Sequence, residues 1–583
     1  MKITYKDYIR LLGHYLRPQW PRAVLLAILI FGMIGLQLLN PQILSAFIDD
    51  ALAGKSVWEL SLIALIFIGV ALVTQVVSVW SVYVSENVGW TATNLMRVDL
   101  TEHTMSLDMS FHNGTNPGAM IERIDGDVTA MANFFSQFVI KVVGNLLLLA
   151  GILVLLWVED WRVGLALSLY SLIAFGVLSR VRNLGVEATK EERQASAEKF
   201  GFLEERLAGL EDIRSNGASS FVMQGLARKL RNYYYKAHRA WMKFSVVWVI
   251  TISLFAVGYF LVFLISAFLF IGGEITLGKV YLFYQYTELL RTPIEQLNRQ
   301  VQDLQKAGAG VARVTELFNK RSQVTDGPGQ AYPAGPLPVA FEKVEFTYNT
   351  EQAQPTLDDI SFRLKPGEVM GLLGRTGSGK TTITRLLFRL YEPQAGRITL
   401  GGEDIRQAKL TQLRGKIGMV TQEVQLFHAS VRDNLTFFNR SISDEHILAV
   451  IEDIGLSDWF NSLPDGLDTQ LKVGQAGLSA GEAQLLAFTR VFLENPGLVI
   501  LDEASSRLDP ATEHLTQRAV EKLLHNRTGI IIAHRLATVQ KVDRIMILDE
   551  GRIAEEGRRE ELAADPSSHF YGLLKTGLEE ALV

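Results

Sequence analysis

Residues Gly374-Arg375-Thr376-Gly377-Ser378-Gly379-Lys380-Thr381 fit the pattern G-x-x-x-x-G-K-[ST], and Thr382 follows directly. Glycines at that spacing let successive backbone N–H groups curl around phosphates, the lysine neutralises the terminal phosphates, and the threonine hydroxyl can ligate Mg²⁺. Farther along, "GLVILDEAS" carries Asp502 and Glu503 at the end of an apolar run. Two adjacent carboxylates there suit a division of labour in which Asp502 holds Mg²⁺ and Glu503 orients or deprotonates an attacking water. A third apolar run, "TGIIIAHRL", delivers His534 just past its end, where an imidazole can reach a terminal phosphate. A strand ending in Asp-Glu, or a histidine after a strand, is commonplace alone. Together with the glycine-rich loop they predict hydrolysis of a nucleoside triphosphate.

Positioning these groups needs a parallel sheet. "VAFEKVEFTY" and "ISFRL" read as short strands, "EVMGLLG" as a buried strand entering the loop, and "TITRLLFRLY" as the helix leaving it. Ahead of them, "KRSQVTDGPGQAYPAGPL" is dense in Gly and Pro and marks a boundary. The predicted organisation is a domain over 1–320, a linker over 321–337 and a nucleotide-binding domain over 338–583.

The first of these regions is strongly apolar. Six stretches, at about 23–46, 60–82, 134–157, 163–181, 245–271 and 277–299, approach the roughly 20 helical residues that a bilayer core needs. The last, "LGKVYLFYQYTELLRTPIEQL", is polar enough that a helix lining an aqueous path fits it better than one surrounded by lipid. Lys2, Lys6, Arg10, Arg17 and Arg22 precede a first run that continues without a small-residue cleavage site, which predicts a retained span and a cytoplasmic N-terminus. With the N-terminus inside, the long, charged connections after the second and fourth stretches are also on the cytoplasmic side, and their helical composition predicts that the spans continue as helices beyond the membrane. Trp20, Trp58, Trp80, Trp157, Trp161 and Trp248 lie near predicted span ends, where indoles anchor at the interface. Glu288, Arg291 and Glu295 share a helical face by their 3 and 4 spacing, with Tyr281, Tyr284 and Gln285 close by. They either pair along the helix or line a transport cavity.

Composition narrows the alternatives. A formal charge of −5 gives no support to a nucleic-acid partner, and the chain has no cysteine, which excludes disulfides, thiolate chemistry and cysteine-ligated metals.

The ordered set of motifs resembles a bacterial ATP-binding cassette (ABC) exporter half-transporter across essentially the whole chain. The implied fold is a membrane all-α domain of six transmembrane helices fused to a soluble α/β P-loop NTPase domain. By this resemblance Tyr348 takes the adenine-stacking position, and Gln422 in "MVTQE" senses Mg²⁺, water and the membrane domain. Leu478, Ser479, Ala480, Gly481 and Glu482 form the signature that meets a partner's ATP, and Ser506, Arg507, Leu508 and Asp509 form the loop facing the opposite subunit. Short coupling helices are implied near 113–127 and 207–219. The implied cofactors are ATP and Mg²⁺. The implied setting is the bacterial cytoplasmic membrane, crossed several times, with the nucleotide-binding domain in the cytoplasm and a small-molecule, lipid or peptide substrate.

The chain departs from the family pattern in the signature. Where the family has Leu-Ser-Gly-Gly-Gln, Ala480 adds a methyl at a place of close backbone approach and Glu482 adds a negative charge; just upstream, Gln475 replaces the usual glutamate. Its own Asp502, Glu503 and His534 are intact. This combination resembles the consensus-site half of a heterodimeric exporter, whose non-identical partner would carry a standard signature and a degenerate catalytic carboxylate. The alternatives are a homodimeric exporter that tolerates the change, or a membrane ATP-dependent regulator that does not transport.

Overall fold

In the computed structural model the chain divides into two compact units, one formed by Met1–Met105 with Pro117–Lys320 and the other by Ser106–Asn116 with Arg321–Val583. The residues described are 13–132, 139–181, 183–329, 331–348, 354–422, 424–471, 480–502, 510–533 and 539–576.

The first unit is built from long helices: α1 (Trp20–Leu52), α2 (Val57–Ser106), then, after the short α3 (Met109–Asn113) that belongs to the second unit, α4 (Asn145–Glu159), α5 (Trp161–Val181), α6 (Asn183–Ala208), α7 (Ser219–Ile271) and α8 (Leu277–Phe318). Among the described residues, five helical segments are long and apolar enough to cross a membrane: Gly13–Leu52, Val57–Ser106, Val142–Glu159, Trp161–Ala208 and Ser219–Ile271. The sixth expected span falls on α8 and is not among them, because Lys279, Glu288, Arg291 and Glu295 interrupt its apolar run. Helix α8 nevertheless packs against α1, α4, α5 and α7. Its Phe283, Tyr286 and Leu290 are fully buried with Ile152 and Leu156 of α4 and Leu167 of α5. Tyr286 donates to the Leu38 carbonyl of α1 (3.0 Å), in the turn that Pro41 interrupts. Helices α5 and α7 approach closely at Gly258, where a Cβ would stand 2.6 Å from the Tyr170 ring; small residues permit this kind of backbone approach in membranes. All six tryptophans expected at span ends are exposed.

The second unit carries two sheets. In the antiparallel one, β1 (Val339–Phe346) lies between β2 (Leu357–Leu364) and, after β3 (Val369–Gly374) and α9 (Lys380–Leu387), β4 (Ala395–Leu400), with the short β5 (Glu403–Asp404) at its edge. The other sheet contains β3, β6 (Ile417–Val420), β7 (Leu498–Asp502), β8 (Thr528–Ile532), β9 (Arg544–Asp549) and β10 (Arg552–Arg558) in the order β10-β9-β3-β8-β7-β6. All pairs in it are parallel except β10 with β9. Strands β3 and β8 are buried throughout and β7 nearly so, as expected for parallel strands covered on both faces. Alternate residues feed opposite cores: Met370, Leu372, Ile500 and Ile532 pack with β1, β2 and α9, while Leu373, Val499, Leu501 and Ile531 pack with helices on the far side.

The glycine- and proline-rich boundary segment is more ordered than its composition predicts. Gly327 and Gly329 donate backbone bonds to Ala408 and Gln407 (both 3.1 Å), Asp326 accepts from the Leu410 N–H (2.7 Å), and Leu337 is fully buried.

Candidate nucleotide site

Strand register assembles the site. Leu372 of β3 pairs with Ile532 of β8, Ile532 pairs with Asp502 of β7, and Leu501 pairs with Val420 of β6. The four strands therefore end together. The glycine-rich loop, Asp502 and Gln422 emerge from one edge of the sheet, the C-terminal edge at which open α/β sheets bind ligands. Glu503 is next in sequence to Asp502 and His534 is two residues beyond Ile532; both lie outside the described residues, as do Leu478, Ser479, Gln475 and Ser506 to Asp509.

The loop has the shape of a phosphate cradle. Gly374 has φ +145°, and a Cβ there would stand 2.3 Å from the Leu548 carbonyl and 2.7 Å from Ser378 Oγ, so no other residue fits without displacing backbone. Gly377 and Gly379 are also left-handed, at φ +87° and +108°. Lys380 is buried, and its ammonium donates to the Gly374 and Arg375 carbonyls (2.6 and 2.8 Å), which centres it on the loop. Ser378 Oγ is buried without a hydrogen-bond partner. An orphaned hydroxyl beside a lysine, at the start of an eight-residue helix, fits a polyphosphate on chemical grounds. Arg375, Thr376 and Gly377 are exposed, and the side chain of Thr381 also faces outward while that of Thr382 is buried.

For a divalent cation the candidate donors are Thr381, Asp502 and Gln422, whose side-chain oxygens would suit Mg²⁺. Among the described residues no group of three or more His, Cys, Asp or Glu is placed to hold a metal. A Mg²⁺ that shares its shell with substrate phosphates needs no such cage.

Tyr348 is held at its tip. Its hydroxyl lies 3.1 Å from Thr382 Oγ1 and accepts from Arg385 (3.1 Å), while its ring meets Tyr391 edge-on at 5.1 Å. Tyr391 in turn accepts a hydrogen bond from Asn113 of α3. Asp108 caps that helix through the Ser110 and Phe111 N–H groups (3.0 and 3.2 Å) and also accepts from Ser322 and from the Gln323 N–H. Burial pushes the Asp108 carboxyl up, but hydrogen bonds from the Gln323 and Phe111 N–H groups and from the Ser322 and Ser110 side chains outweigh it and hold the group below its ordinary range. The segment between the second and third apolar stretches thus joins the second unit at 106–116, a few residues ahead of the expected 113–127. The other expected coupling segment contains a one-and-a-half-turn helix, Leu210–Ser215, with no buried residue. Asn113→Ala, which removes one hydrogen bond within the second unit, is expected to destabilise that unit by about 1 kcal/mol; urea unfolding of wild type and variant checks this, and identical midpoints would show that the bond contributes nothing to its stability.

Of the altered signature, Ala480 begins a 15-residue helix, α10 (Ala480–Glu494), Gly481 is buried and Glu482 is half-buried. Sequence reasoning passed over Arg490 on this helix. It is buried, donates to the Asn434 and Gln425 carbonyls (2.8 and 3.0 Å) and lies over the Phe437 ring at 4.7 Å. Burial pulls its guanidinium down to about 10, still charged at neutral pH. The signature helix is thereby tied to the stretch following Gln422. Arg490→Met leaves the buried Asn434 carbonyl without this donor, at about 1–3 kcal/mol. A melting temperature lowered by several degrees is expected in scanning calorimetry.

Comparison with known proteins agrees with this architecture. The ABC transporter family matches residues 357–506 and the ABC transporter transmembrane region matches residues 24–294. The chain is 30% identical over 548 residues to the "Putative multidrug export ATP-binding/permease protein YgaD" of Bacillus subtilis, covering 90% of this chain and 91% of that protein. It is 28% identical over 551 residues to the "Uncharacterized ABC transporter ATP-binding protein YfiC" of the same organism, covering 92% and 89%. Among solved structures, that of a bacterial Atm1-family ABC exporter with ATP bound aligns with a TM-score of 0.76 at 23% identity, over 96% of this chain and 97% of the other, a likeness of fold.

Proposed function

Because this chain belongs to the ABC transporter family, with a transmembrane region ahead of an ATP-binding cassette on one polypeptide, we propose that two such halves export a hydrophobic or amphiphilic compound as ATP closes and hydrolysis reopens their cassettes. The chain is a multi-pass membrane protein with a cytoplasmic ATPase domain. The observation that carries the reading is the shared strand edge, where a lysine-centred phosphate loop and Asp502 stand together. In this reading residues 1–320 form the membrane domain with α8 as its sixth span, 321–337 the linker and 338–583 the cassette. Tyr348 stacks on adenine, residues 374–382 hold the phosphates, and Thr381, Gln422 and Asp502 hold Mg²⁺. Glu503 and His534 act on the attacking water and the terminal phosphate. The multidrug-export name of the YgaD relative supports the substrate class.

Two copies of this chain are the assembly we adopt, because the chain itself carries both a transmembrane region and an ATP-binding cassette, so that a second copy supplies everything a pair needs. Residues 478–482 would then meet the second copy's ATP, and 506–509 its facing loop. One observation favours a mixed pair instead: Ala480 and Glu482 in the signature. Native mass spectrometry of the chain purified alone, with phosphate release measured on the same sample, separates these. An ATP-hydrolysing particle of two copies supports the identical pair. A chain inert until a different half joins it supports the mixed pair, and a chain that hydrolyses no ATP in either assembly overturns the proposal.

A further inference from the structure

On α8, Tyr281, Tyr284, Gln285, Glu288, Arg291 and Glu295 fall within about 120° of arc at 100° per residue, and all six are half-exposed. The opposite face, with Leu282, Phe283, Tyr286, Leu290 and Ile294, is buried. Polar and charged side chains on a spanning helix are costly against lipid and face a water-filled path or a second protein surface. Charge on this stripe is unbalanced. Arg291 pairs with Glu295 (3.1 Å) and lies over the Phe255 ring at 5.3 Å, and Lys279, nearer the helix start, pairs with Glu159 (3.2 Å). Glu288 accepts a hydrogen bond from the neutral Tyr259 hydroxyl of α7 and, among the described residues, enters no ion pair. Of the other spans, residues 23–48, 60–85, 142–158, 163–179 and 245–271 carry no charged side chain; the third apolar stretch, 134–157, also contains Lys141, in a segment that packs against α8. The Lys141 side chain lies outside the described residues.

Around that carboxylate stand aromatic rings. Tyr284 stacks on Phe263 of α7 at 5.5 Å and lies 5.7 Å from Tyr259 and 6.2 Å from Tyr281. A carboxylate beside half-exposed aromatic faces is the chemistry that holds a bulky, weakly hydrated cation, through Coulomb attraction to the acid and attraction to the ring quadrupoles. An anionic amphiphile would meet the same negative charge at a cost, and a neutral one would leave it uncompensated.

We propose that this face of α8, with Tyr259 and Phe263 of α7, is a binding site for lipophilic cations whose counter-charge is Glu288. The proposal rests on the exporter reading above and names the substrate class of its membrane path. The test is equilibrium binding of tetraphenylphosphonium, and of its near-isosteric anion tetraphenylborate, to the full chain in lipid nanodiscs, with empty nanodiscs subtracted. Saturable binding of the cation in preference to the anion is expected, with cation affinity about tenfold weaker in Glu288→Gln and largely kept in Glu288→Asp. Tyr259→Phe, which keeps the ring and removes the hydroxyl that occupies the carboxylate, is expected to hold or raise cation affinity, and it serves as a second probe if Glu288→Gln does not fold. Equal cation affinity in wild type and Glu288→Gln, a wild-type preference for the anion, or a fall in Tyr259→Phe would overturn the site. ATP-driven uptake is measured separately. Uptake of neutral or anionic amphiphiles without cation binding sinks the site and keeps the exporter, whereas Glu288-dependent cation binding without any ATP-driven uptake keeps the site and sinks the exporter.

Discussion

Glu503→Gln is expected to leave ATP binding intact while cutting turnover roughly 10²–10⁴-fold, the span attributed to a positioned general base. The substitution preserves size and removes the charge that orients or deprotonates water. Asp502, whose register beside Ile532 of β8 is fixed by the parallel sheet, stays in place to serve the cation. Phosphate release and binding of a fluorescent ATP analogue, measured on the same preparation, separate the two effects. Turnover close to that of the wild type would remove Glu503 from the chemistry and assign water activation to another group.

Lys380→Ala acts one step earlier. The ammonium sits at the centre of a loop built on three left-handed glycines and is already held by two of the loop's carbonyls, so the loop is arranged around a positive charge. Removing it deletes the charge-assisted hydrogen bonds to the terminal phosphates, worth about 3 kcal/mol, or roughly 100-fold in ATP affinity. Hydrolysis falls with occupancy, and raising ATP recovers part of it, unlike in Glu503→Gln. Equal ATP affinity in the two proteins would show that the phosphates are held elsewhere.

The described part of the nucleotide site was legible in the sequence because the loop is contiguous: eight residues make it, and the apolar runs ahead of the loop and of Asp502 are the buried strands β3 and β7. The membrane helices were legible for the same reason, through unbroken hydropathy, whereas α8 was ambiguous because one face is apolar and buried while the other is polar. Side-chain links between distant segments were not legible. Tyr391 follows the phosphate-loop helix in sequence, and nothing local marks it as the partner of Asn113, 278 positions earlier. Arg490 reads as an ordinary basic residue on an amphipathic helix until the Asn434 and Gln425 carbonyls are seen to converge on it. The boundary segment's long-range partners were equally hidden: nothing local marks Gly327, Gly329 and Leu337 as donors to the Ala408, Gln407 and Gly497 carbonyls.

The most direct test of the account is uptake of a fluorescent amphiphile into proteoliposomes whose cassettes face outward, with ATP or ADP outside, for wild type and Glu503→Gln together. The account predicts ATP-dependent accumulation by the wild type and none by the variant. Hydrolysis without accumulation in the wild type, or equal accumulation by both proteins, would contradict it.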